Sequence, residues 1–128
     1  MVHRYVVKLA AGFEIVVGAI FLTVPDALCR TLFAMTPQGI GTLLGRFAGV
    51  ALIALGTTGS IWGATEPLRS AALGLFVFNI GATIFLVWVA VATTFRGPLL
   101  WPGVILHATI AVALLPQFLT RRSLASPA

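Results

Sequence analysis

Residues 70–95 read SAALGLFVFNIGATIFLVWVAVATTF, an uncharged run between Arg69 and Arg96 with one strongly polar residue, Asn79, near its middle. A hydrocarbon core is about 30 Å thick and takes about 20 helical residues to cross. A run of this length and composition predicts a membrane-spanning helix. Three further stretches repeat the pattern. Helices are predicted over residues 5–24, 39–64, 68–94 and 99–119, each carrying one strongly polar residue: Glu14, Arg46, Asn79 and His107. The fold class that follows is all-α, an integral membrane four-helix bundle.

Composition agrees. Hydrophobic residues make up 59% of the 128 residues and charged residues 9%, with mean hydropathy +1.08. A soluble domain carries about 25% charged residues. The length suits one compact bundle, so residues 1–122 form a single transmembrane domain and residues 123–128 a frayed tail. The net charge of +5 comes from basic residues that mostly flank apolar segments. No basic stripe with interleaved aromatics is present, which argues against nucleic acid as a partner. Cys29 is the sole cysteine, so no intrachain disulfide can form. His3, Arg4 and Lys8 before an apolar run look like a signal peptide. Glu14 inside that run and the lack of a small-residue cleavage site favour a retained first helix.

The chain breaks at polar or proline-bearing turns, Thr65-Glu66-Pro67 and Arg96-Gly97-Pro98. Pro25 ends the first helix. Residues 25–38 are too short to span. Asp26 and Arg30 sit four apart, where they can pair on one helical face. The segment is predicted to lie along the membrane surface as a short interfacial helix between helices one and two. Orientation follows from the basic residues. Arg4, Lys8, Arg69, Arg121 and Arg122 fall on one side and Arg30 and Arg96 on the other, which places both termini in the cytoplasm. Trp62, Trp88 and Trp101 fall toward helix ends, where indole rings favour the interface.

Gly41, Gly45 and Gly49 recur at four-residue spacing in helix two, followed by Gly56, Gly59 and Gly63. Such spacing makes a groove into which another helix backbone can come close. The groove serves either packing against helix one or three of the same chain or a homodimer face. Gly74, Gly81 and Ala82 of helix three offer a complementary surface.

At a rise of about 1.5 Å per residue, the four polar residues fall between about 14 and 20 Å from the cytoplasmic edge. All four are expected to meet inside the bundle, with Glu14 and Arg46 forming a charge-assisted pair. Asn79 and His107 would then fill the remaining hydrogen-bonding capacity. A structural role, fixing helix register, is one reading. Removing one partner of a buried pair costs about 3–5 kcal/mol. In the other reading, Glu14 and His107 relay protons or hold the polar head of a lipid-soluble ligand such as a quinone. No set of ligands has metal spacing. No catalytic triad or phosphate-cradling loop stands out, so the sequence names no catalytic residue.

The second helix reads Gly45-Arg46-Phe47-Ala48-Gly49-Val50-Ala51-Leu52-Ile53-Ala54-Leu55-Gly56, and Glu14 with Gly18 precedes it. In these residues the chain resembles the DoxX-like superfamily of small four-helix bacterial membrane proteins. The resemblance covers most of the chain. It implies an inner-membrane protein with Arg46 at the family's arginine position. The role implied is a non-catalytic small subunit or accessory, with lipid, a quinone or a membrane-protein partner. Four helices, this length and Glu14 followed by Gly18 are also similar to the small multidrug resistance exporters. In those, an unpaired carboxylate in each protomer of a dimer exchanges protons for cationic drugs. Arg46 counts against that likeness, since a buried arginine would neutralise Glu14. The aromatic and glycine motifs expected in helices two and three are missing.

Overall fold

The computed structural model describes residues 2–61 and 67–119. Every regular element among them is a helix: α1 (Val2–Thr23), α2 (Pro25–Phe33), α3 (Ile40–Ile61), α4 (Pro67–Ala92), α5 (Leu100–Leu114) and α6 (Pro116–Leu119). Four segments are long and apolar enough to cross a membrane: Arg4–Thr23, Ile40–Gly59, Ser70–Ala92 and Leu100–Phe118. Large apolar side chains cover the outside, among them Leu9, Phe47, Ile84, Ile105 and Val112, each more than half exposed. A patch that large is foreign to a water-facing surface. Thr23, Thr57, Thr83, Thr93 and Thr109 each turn the hydroxyl back to the carbonyl four residues earlier. That satisfies these five hydroxyls without water.

The predicted helices match these elements to within a few residues, with one difference. Residues 99–119 were expected as one helix, but the run breaks between α5 and α6. Pro116 has no N–H to give, and the Leu115 N–H is shared between the carbonyls of Ala111 and Val112, 3.2 Å from each. A proline inside an apolar helix kinks it in this way. Trp62, Gly63, Thr65, Glu66, Arg121, Arg122 and the tail lie outside the described residues.

Helix α1 packs most extensively against α3, and α4 against α5. The α1–α3 contact is close because glycines face each other across it. A Cβ on Gly18 would lie 2.7 Å from the Gly49 carbonyl oxygen, and a Cβ on Gly49 would lie 2.6 Å from that of Gly18. Gly56 faces the Ala11 carbonyl, and Gly59 faces Ala11 and Leu75. The glycine groove is therefore filled by α1 of the same chain. Gly45 meets Pro25 and Phe21, at the turn from α1 into α2. Gly41 is not part of that helix contact: its neighbour is Pro37, in the turn leading into α3.

Two apolar clusters pack the helices, one toward each end: the first joins α1 to α4 and α5, and the second lies within the α4–α5 pair. Val7, Ala10, Ala11, Ala72, Leu75 and Leu114 form the first. Leu86, Val89, Ala90, Leu100 and Val104 form the second, with Phe33 of α2 packed on it. The polar residues and the cavity described below sit between the clusters.

Helix α2 begins at Pro25, whose missing N–H costs nothing in a first turn, with Asp26 favourably placed at the positive end of the helix dipole. It stops at Ala34, which adopts a left-handed conformation (φ 54°) and donates its N–H to the Arg30 carbonyl. The end of α2 is then fastened to the turn between α4 and α5. The Gly97 N–H donates to the Leu32 carbonyl at 3.0 Å, and the Leu99 N–H donates to the Thr31 carbonyl at 2.8 Å. Only a glycine fits at 97, because a Cβ there would run into the Thr31 carbonyl oxygen. The Asp26–Arg30 pair expected on α2 does not form among the described residues: Oδ1 of Asp26 is buried without a hydrogen-bond partner.

Candidate functional site

Three of the four polar residues converge. Asn79 is fully buried on α4, one turn beyond Leu75. Its Nδ2 donates to the Leu75 carbonyl at 2.8 Å and to Glu14 Oε1, on α1, at 3.2 Å. Its Oδ1 lies 2.8 Å from His107 Nδ1 on α5. Asn79 thus bridges a carboxyl and an imidazole from two other helices. The rings of Phe13 and Phe78 approach His107 edge-on, with centroids 6.0 and 5.9 Å away.

Glu14 is also fully buried, and its second oxygen, Oε2, has no hydrogen-bond partner. Buried polar atoms are nearly always satisfied, so such an atom calls for an explanation. The surroundings supply one. Glu14 and His107 line a cavity of about 600 Å³. Its walls are apolar and rich in aromatics: Phe13 and Phe21 from α1, and Phe78 and Phe85 from α4. Leu28, Leu32 and Phe33 of α2 also line it, so α2 covers part of the cavity. A concave, mostly apolar cavity with a few convergent polar groups is the usual form of a small-molecule site. The turn that anchors α2 also fixes the position of this cover.

Arg46 does not join the cluster, which corrects the expected Glu14–Arg46 pair. It is exposed on the outside of α3 and lines a separate groove of about 330 Å³ with Asp26, Arg30, Thr23 and Thr42. Matching depth along the membrane normal says nothing of direction around the helix. Gly45 and Gly49 turn one face of α3 toward α1, and Arg46 stands on another. It begins about 1.5 turns into α3, close enough to the helix end for a long arginine side chain to reach the interface. Asn79 takes the place assigned to Arg46 as the group that contacts Glu14.

Sequence reasoning missed the aromatic walls and the α2 cover. Phe13, Phe21, Phe78 and Phe85 look like ordinary packing residues in a chain with nine phenylalanines, and no local signal separates cavity from core. Among the described residues no three His, Cys, Asp or Glu side chains gather as a metal site would require. Compared with known proteins, the chain matches no family model, no curated protein and no solved structure.

Proposed function

We propose that this protein is a multi-pass membrane protein that holds the polar head of a lipid-soluble ligand, a quinone or lipid, in the α1–α4–α5 cavity. It would act as a non-catalytic small subunit or accessory of a membrane complex. The single observation carrying this reading is Glu14 Oε2, buried and unpartnered at the polar end of an apolar cavity. A purely structural cluster would satisfy that atom from the protein, because an unmet buried acceptor costs about 1–3 kcal/mol. The proposal includes a bacterial inner membrane, both termini in the cytoplasm, α2 at the opposite interface and membership of the DoxX-like superfamily. Support for these comes from the basic-residue asymmetry and from the Gly45–Gly56 stretch with Glu14 and Gly18 upstream.

Native mass spectrometry of protein released from mild detergent tests the ligand, with Gly81→Leu as its control. Gly81 lines the cavity, and a Cβ there meets nothing within 4 Å. A leucine there starts from an unhindered Cβ and is expected to take up cavity space. Wild type is expected to carry a bound quinone or lipid that Gly81→Leu loses while staying folded. Ligand-free wild type, or equal loading of both forms, would refute the reading.

One observation favours a second reading. One of the two arguments against a proton-coupled exporter was neutralisation of Glu14 by Arg46, and these residues lie apart; the missing aromatic and glycine motifs still count against it. A carboxylate that does not pair with Arg46, walled by phenylalanines, suits a lipophilic cation. Export of a cationic dye by proteoliposomes under a proton gradient, abolished by Glu14→Gln, would move the exporter to the front.

A further inference from the structure

This inference rests on the ligand-holding reading and concerns which half of a hydrogen bond the ligand must supply. The Leu75 carbonyl oxygen can only accept, so the Asn79 amide must turn its nitrogen toward Leu75 and Glu14 and its oxygen toward His107. The Asn79 oxygen is likewise an acceptor, so His107 Nδ1, 2.8 Å away, carries the proton. A neutral imidazole has one such proton, so Nε2 is left as a lone-pair acceptor. No partner from the described residues engages it. A carbonyl on Leu75 therefore fixes, through one amide, the tautomer of a histidine on another helix.

Two of the residues lining the cavity thus carry an unengaged acceptor: His107 at Nε2, and Glu14 at Oε2 when ionised. An ether or quinone oxygen placed there would face like against like at His107 Nε2, and at Glu14 as well while the carboxyl is ionised; among quinone-type ligands this favours the reduced quinol over the oxidised form. A hydroxyl donates one hydrogen bond and accepts others, so it can satisfy His107 and meet Glu14 whether or not the carboxyl carries a proton. We propose that the cavity selects amphiphiles whose head is a hydroxyl, the phenol or quinol class, over equal-sized molecules whose head only accepts or only carries charge.

The test uses three probes of similar chain length on wild-type protein in non-ionic detergent, by isothermal titration calorimetry: 4-nonylphenol, 4-nonylanisole and decyltrimethylammonium. The phenol is expected to bind about tenfold more tightly than its methyl ether, equivalent to about 1.4 kcal/mol. Glu14→Gln should narrow or reverse that ratio. Its amide oxygen can still accept from Asn79 while its NH2 replaces an acceptor with a donor. Equal affinity of phenol and ether for wild type would overturn the hydroxyl selection and leave the ligand-holding reading standing. Binding of neither would overturn both. Tight binding of decyltrimethylammonium, lost in Glu14→Gln, would overturn the selection and show that the cavity reads charge. The wild-type comparison decides the matter even if the variant fails to fold.

Discussion

Replacing Gly49 and Gly12 by alanine, one at a time, should move stability in opposite directions. The chemical change is the same: one methyl group on a helix, with a propensity gain of about 1 kcal/mol. The surroundings differ. A Cβ on Gly12 meets nothing within 4 Å, so that gain stands alone. A Cβ on Gly49 would lie 2.6 Å from the Gly18 carbonyl oxygen and 2.7 Å from the Leu22 nitrogen. Both are backbone atoms, and no rotamer change can move them. Reaching ordinary contact at 3.4 Å asks α1 and α3 to part by about 0.8 Å. A gap of that size forfeits about a quarter to a half of each neighbouring dispersion contact. Overpacking of this kind costs about 1–3 kcal/mol. Because the propensity gain is common to both variants, their difference isolates the helix contact at about 1–3 kcal/mol. Equilibrium unfolding in mixed micelles, followed by circular dichroism as the mole fraction of SDS rises, measures it. Equal midpoints for Gly49→Ala and Gly12→Ala would refute the glycine-mediated α1–α3 contact.

Glu14→Gln and Arg46→Met should destabilise independently, so the double variant should equal the sum of the singles within about 0.5 kcal/mol; recovery of the loss in the double variant would show that the two side chains pair after all. Gly97→Ala should cost about 1–3 kcal/mol and speed amide exchange in α2, since its methyl group collides with the Thr31 carbonyl that anchors the cover. Unchanged exchange across Pro25–Phe33 would mean the turn does not hold α2. Cys29, half-buried on α2 outside the spanning helices, has its thiol pKa pushed up, first by burial and then by the Asp26 carboxylate. Alkylation by iodoacetamide needs the thiolate, so its rate should rise at higher pH than for a free thiol. Asp26→Asn should recover part of that shift and leave the larger, burial-driven part. A midpoint at the ordinary thiol value would contradict this placement of Cys29.

The four long helices and the short α2 were legible because each is written locally. An apolar run of spanning length forms a helix wherever its backbone must satisfy itself, and Pro25, Pro67 and Pro98 mark the turns. Glu14, Asn79 and His107 stood out for a similar reason: a polar residue in an apolar run is conspicuous whatever its neighbours. Arg46 stood out equally and was misjudged, because its height in the membrane is a property of sequence position while its direction depends on which face of α3 meets α1. That face was set by Gly18 opposite Gly49, an agreement between two helices that neither helix shows alone. The cavity is further still from sequence. It is lined from α1, α2, α4 and α5 at once, so it depends on how these helices lean together and on the Gly97 turn that fastens the end of α2. The sequence by itself determined which segments are helical and which buried polar groups needed partners, since both follow from the cost of unpaired polar atoms in an apolar setting. The tertiary structure alone decided that Asn79, not Arg46, partners Glu14, and that one oxygen of this cavity-lining carboxyl is left without a protein partner. Those facts depend on how rigid helices rotate and lean against one another.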